Sequence, residues 1–178
     1  TDDGLQSVAD TNPFMTATGG TITTSPCGNH KIHTFTGPGT FTVCKTASCA
    51  ANNEVSYVIV AGGGGGGCQG GGGGGAGGYR ETKSPVTPYT ASPLDGQPNA
   101  PNRVTVTATD FPIVVGGGGT GQAPPAGGPV NQAGSGANSS FGGITAAGGS
   151  GGGTGPQCGV TLTAGGSGGG GRANQSNS

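Results

Sequence analysis

A continuous apolar run, Val55-Ser-Tyr-Val-Ile-Val-Ala61, passes without a break into six consecutive glycines, Gly62–Gly67, and a second block of six stands at Gly70–Gly75. A flexible linker is bordered by polar, Ser-rich sequence, whereas here a strand read as buried on both faces delivers glycine into the interior. The junction recurs. Phe111-Pro-Ile-Val-Val115 runs into Gly116–Gly119, Ile144-Thr-Ala-Ala147 into the block ending at Gly153, and Val160-Thr-Leu-Thr-Ala164 into the block ending at Gly171. Four junctions of one type, at no fixed period, are an internal repeat in kind.

Glycine loses more backbone freedom on ordering than any other residue, so ordered blocks need a compensating interaction. Glycine supplies 45 of 178 residues, a content that ordinarily signals disorder, but only 7% of residues are charged and the glycines stand in blocks. No Gly-X-Y period runs through the chain, which excludes collagen. A polyproline-II-like glycine helix has about three residues per turn and no internal hydrogen bonds. Lacking Cβ atoms, several such helices can lie side by side and bond laterally, pairing groups that each cost about 1–3 kcal/mol when buried alone. With 29% apolar residues and no Trp, a side-chain core would be small, and the expectation is a core built of backbone.

Residues 1–20 read as an extended arm, 21–61 as a β-rich part completed by strands near 104–115 and 160–164, and 62–171 as the glycine-rich part. A Pro-rich loop covers 81–103, and 172–178 form a tail. Within the β part, Lys31–Thr36 and Thr40–Val43 around Gly37-Pro38-Gly39 predict a hairpin. No segment carries a capped 3.6-residue pattern, so the fold class is all-β with essentially no α-helix.

A net charge of -1 gives no field for nucleic acid or an anionic membrane, and no apolar run is long enough to insert in a bilayer. No signal peptide or lipidation motif is visible. The glycine blocks lack the Gly-Lys-Ser/Thr ending of a phosphate loop and a following helix. His30 and His33 read as surface or packing residues, the acids are scattered, and no nucleophile elbow is present. The chain is therefore read as non-enzymatic, with no cofactor and no metal. Of five cysteines, Cys44, Cys49, Cys68 and Cys158 are disulfide candidates, with free thiols as the alternative, and Cys27 is free or paired between subunits. Tyr79, Arg80 and Tyr89 form a possible contact surface, although Tyr79 equally suits a cap on the glycine bundle. Asn138 and Asn174 head glycosylation sequons.

Ala17-Thr-Gly-Gly-Thr-Ile-Thr-Thr24, Lys31-Ile-His-Thr-Phe-Thr36, Gly39-Thr-Phe-Thr-Val43, the passage from Val55 to Gly67, Gly73-Gly-Gly-Ala-Gly-Gly-Tyr-Arg80, Ser139-Ser-Phe141 and Ile144-Thr-Ala-Ala-Gly-Gly149 together resemble the glycine-rich domain of phage tail and virion structural proteins. The resemblance implies a β-sandwich or jelly-roll-like head followed by a bundle of polyglycine-II helices whose connecting loops meet the host surface, a glycan or a protein. The chain departs from that pattern in the Pro-rich insertion at 81–103 and in its cysteines. Two functions follow as expectations: an adhesive part of a virion appendage, or a self-assembling subunit of an extracellular fibril or pilus-like filament, docked to copies of itself through the arm of residues 1–20. Either places the protein on a virion or outside the cell.

Overall fold

The computed structural model describes residues 12–68, 70–84, 103–123, 132–153 and 165–171. Within them the fold is all-β, with one 3-10 turn at Ala50–Asn53 and no α-helix. The strands are β1 (Thr16–Thr18), β2 (Thr21–Thr24), β3 (Lys31–Thr34), β4 (Gly39–Lys45), β5 (Glu54–Val55), β6 (Tyr57–Val60), β7 (Tyr79–Thr82), β8 (Val104–Thr105), β9 (Asp110–Ile113), β10 (Ser139–Phe141) and β11 (Ile144–Ala146). β4 lies between β1 and β9 in an antiparallel sheet; β2 pairs with β3, β5 with β8, β6 with β7 and β10 with β11. A bridge between Val114 and Ser140 carries the β9 edge on to β10.

The alternation of β4 decides where the apolar core sits. Phe41 and Val43 point inward and meet Val104 and Val106, which alternate with threonines on the segment after Arg103. Phe41, Phe111, Phe141 and Tyr57 join them as an aromatic cluster with centroids 5.8–6.4 Å apart in tilted and edge-on contacts. A smaller cluster of Ile59, Ala61 and Ala146 sits where β6 and β11 end. The hairpin β10–β11 turns through Gly142 and Gly143 at φ 55° and 84°, the primed turn that fits strand twist and that glycine enters without strain.

Two expectations are corrected. β3 and β4 do not form a hairpin across Gly37-Pro38-Gly39. Instead the Gly28 N–H donates to the Ser25 carbonyl (2.8 Å), the Ser25 N–H to the His30 carbonyl (2.9 Å) and the His30 N–H to Ser25 Oγ (3.2 Å), which folds β3 back on β2. β4 is thereby left to pair on both edges and carry core residues. β6 is not buried on both faces either: Ile59 is inside, while Val58 and Val60 are 55% and 58% exposed, because β6 is half of a two-stranded ladder covered on one side only. Thr16–Thr18, within the expected arm, pair with β4.

The glycine blocks run as extended threads joined by lateral backbone hydrogen bonds of 2.7–3.2 Å. In chain order, thread 1 spans 61–67, thread 2 71–78, thread 3 116–122, thread 4 132–138, thread 5 147–153 and thread 6 165–171. Ala61, Gly64 and Gly67 of thread 1 donate to Gly78, Gly75 and Gly72 of thread 2, and Gly62 and Gly65 donate to Ala137 and Gly134 of thread 4. Gly63 and Gly66 accept from Gly119 and Gln122 of thread 3; Gly62 and Gly65 accept from Gly149 and Gly152 of thread 5. Partners recur every third residue, not every second as in a β ladder. The bonding pattern as a whole is that of two layers, threads 2-1-3 over threads 6-5-4.

Thread 5 is buried from Gly148 to Gly153, and its largest side chain is that of Ser150. A Cβ added at Gly64, Gly65, Gly149, Gly151 or Gly152 would fall under 3.0 Å from backbone of another thread. These positions accept nothing larger than hydrogen. Threads 1, 3 and 5 leave β6, β9 and β11, and threads 2 and 4 return to β7 and β10, so the strands gather at one end. The junction near 160–164, the loop core 85–102 and the tail lie outside the described residues.

Candidate functional site

The far end of the bundle is where the chain leaves and re-enters the threads. Thread 1 turns into thread 2 at Cys68–Gly71, closed by the Gly71 N–H on the Cys68 carbonyl (2.9 Å). Thread 3 ends and thread 4 begins at the same level, since Gln122 bonds Gly66 and Ala133 bonds Gly152. Gly153 and Gly170 pair there too. The exits at 68, 123, 132, 153 and 171 are thus on the side away from the β strands, whereas thread 6 is entered at Gly165 on the strand side, where the Gly166 N–H bonds the Gly148 carbonyl.

A second feature was not anticipated. Thread 4 carries polar side chains at every third position, Gln132, Ser135 and Asn138, and all three reach thread 5. Gln132 Nε2 donates to the Gly151 carbonyl (3.1 Å), the Gly151 N–H donates to Ser135 Oγ (3.4 Å), and the Gly148 N–H to Asn138 Oδ1 (2.9 Å). The three-residue period that aligns backbone bonds also aligns these side chains on one side of the thread. Their spacing within a glycine-poor stretch was the available signal. Asn138, read as a sequon, has its amide oxygen committed to this ladder; Asn174 lies outside the described residues.

Among the described residues thread 1 has no such cover on its outer side. Gly63 and Gly66 are exposed, and at the root of the same layer stand Val58 and Val60 on β6 and Tyr79 (51% exposed) on β7. The register pairs Val60 with Tyr79 and Val58 with Glu81, which puts all four on the face turned away from Ile59. Desolvation first, then the charge of Glu81 and a hydrogen bond to it, raise the Tyr79 hydroxyl above its ordinary value of 10.0. Arg80 neighbours Tyr79 but pairs with Ile59 in the register, while Tyr89 lies outside the described residues, so only Tyr79 joins this face.

The remaining candidates do not converge. Cys27, Cys44 and Cys49 are exposed free thiols and Cys68 a buried one; Cys158 lies outside the described residues. Cys44 and Cys49 do not close their loop, which the Asn53 amide holds instead, accepting from the Ala47 N–H (2.7 Å) and donating to its carbonyl (3.0 Å). His33 packs edge-on against Phe41 at 5.0 Å with Nδ1 2.8 Å from the Gly19 carbonyl. Arg103 binds Glu54 at 3.0 Å beside a cleft of about 410 Å³ between Phe111, Phe141 and Gly142. Among the described residues no three His, Cys, Asp or Glu side chains are grouped to hold a metal ion, and no helix is long and apolar enough to cross a membrane.

Residues 34–178 match the model of the glycine-rich domain, and the chain belongs to that family. No curated protein and no solved structure matches it.

Proposed function

We propose that this member of the glycine-rich domain family is a non-catalytic, adhesive part of a phage virion appendage, a tail fibre or its tip, that contributes to attachment to a host-surface glycan or protein. In this reading the threads are polyglycine-II helices and the strands a β-sandwich or jelly-roll-like head that connects to the particle. One observation carries the reading: five described thread exits, at 68, 123, 132, 153 and 171, gather at the end opposite the strands. A bundle bonded in two directions, chiefly by backbone, is a stiff spacer, and loops positioned by a rigid scaffold are where binding surfaces concentrate. The three-residue bonding period supports the helix type.

Immunogold labelling of native particles tests the location: gold at the tail tip is expected, and gold on free cell-made filaments would replace this reading with that of a fibril subunit. The attachment role is tested by adsorption of the fluorescently labelled 178-residue chain to host cells. Exchange of 124–131 for a Gly-Ser segment of equal length is expected to abolish adsorption with the melting temperature kept. Undiminished adsorption would remove the tip from the binding function.

A further inference from the structure

We propose that the outer face of threads 1 and 2, together with the β6–β7 face below it, is an interface between two copies of this chain. The face has two parts of different chemistry. Its root is apolar but for the half-buried Glu81 beside Tyr79: Val58, Val60 and Tyr79 are each more than half exposed. Its upper part is backbone. Thread 1 has neighbours on four sides, and the N–H groups of Gly63 and Gly66 and the carbonyls of Gly64 and Gly67 have no bonding partner among the described residues.

Thread geometry says where these groups point. In a three-residue helix, successive N–H groups leave the axis about 120° apart. Residues 61, 64 and 67 donate to thread 2, and 62 and 65 to thread 4, so the third direction, that of Gly63 and Gly66, leads to the open side. The same count sends the Gly64 and Gly67 carbonyls to the open side as well, since the other two carbonyl directions are taken by threads 3 and 5. Donors and acceptors with one spacing therefore share one surface. The equivalent inner thread of the other layer has its side closed by Gln132, Ser135 and Asn138; among the described residues thread 1 has no such ladder.

The partner must bring backbone to hydrogen-bond distance without a Cβ in the way, at a three-residue repeat. The chain's own face meets that requirement by identity, and a two-fold contact sets donors of each copy on acceptors of the other. A strand of four residues and a thread of six span about 32 Å, and two or three chains abreast are about 14 Å wide. Each copy would bury about 450 Å², close to the roughly 1,000 Å² total of a specific interface, so association in the micromolar range is expected. The inference needs only this geometry and stands whether or not the protein binds a host.

Sedimentation equilibrium of the 178-residue chain from about 1 to 100 µM is expected to show twice the monomer mass at the upper end. Gly66→Val and Val60→Lys each alter this face at a position open to solvent, Gly66 with nothing within 4 Å of an added Cβ. Each is expected to weaken association at least tenfold, with far-UV circular dichroism unchanged. Gly168→Val, on thread 6 and equally open, is expected to leave it intact. A wild-type chain that stays monomeric throughout, or association that survives both face variants, overturns the interface.

Discussion

Replacing Gly149 by alanine puts one methyl group where thread 5 crosses the inside of the bundle. The added Cβ would stand 2.7 Å from the Ala76 carbonyl oxygen and closer still to that of Gly75. Backbone of thread 2 is the obstacle, so no rotamer change relieves it. Overpacking of this kind costs about 1–3 kcal/mol. Pushing the threads apart also strains the bonds from Gly149 N–H to Gly62 (2.8 Å) and from Gly136 N–H to Gly149 (2.8 Å), each worth about 1–3 kcal/mol if a buried group is left unpaired. The range is then about 3–9 kcal/mol, against a usual stability of about 5–15. At about 2–4 °C per kcal/mol for a chain of this size, Gly149→Ala lowers the melting temperature by at least about 6 °C or prevents folding. Gly168→Ala is the counterpart: open space and no left-handed φ, so the loss of unfolded-state freedom raises stability by about 0.4–1 kcal/mol. Differential scanning calorimetry of the two variants decides. Shifts of the same sign and size at both positions would refute a core built from closely packed backbone.

Asn53→Ala removes the bracket on Ala47 and is expected to cost about 1–3 kcal/mol, read as a lower urea midpoint at unchanged slope. In the β10–β11 turn, Gly143→Asn is expected to be tolerated because its Cβ meets nothing within 4 Å, whereas at Gly142 a Cβ would stand 2.8 Å from Val104 Cγ1, so Gly142→Asn lowers the melting temperature; equal effects would contradict the packing. The Tyr79 phenol should ionise above pH 10.0, followed by ultraviolet difference absorbance, and Glu81→Gln should lower its midpoint by removing the negative charge beside it.

The junctions after β6, β9 and β11 were legible because apolar β-branched runs and unbroken glycine each have one economical environment, and the third of them leads into the buried thread 5; the junction near 160–164 lies outside the described residues. A strand near 104 was legible, and the alternation of Val104 and Val106 with threonine fits the burial of both. What sequence hid is pairing. Gly37-Pro38-Gly39 is turn-like, yet Ser25 offers both its backbone and its hydroxyl to the turn at 25–30, and that closure wins. The exposure of Val58 and Val60 was equally hidden, since a continuous apolar run reads the same whether one face or both are covered. The ladder of Gln132, Ser135 and Asn138 escaped because a period of three is not a β or α signature, and Asn138 matched a processing motif instead.

A core whose closest contacts are between amides carries a distinctive heat-capacity signature. Exposure of hydrocarbon raises the heat capacity of unfolding by about 0.45 cal/mol/K per Å², and exposure of polar surface lowers it by about 0.26. Melting thread 5 and its neighbours bares peptide groups and almost no side chain, so the bundle works against the increment contributed by Phe41, Val43 and their partners. The stability curve expected of such a protein is shallow, with its cold limb displaced to low temperature and little change of stability between chilled and warm water.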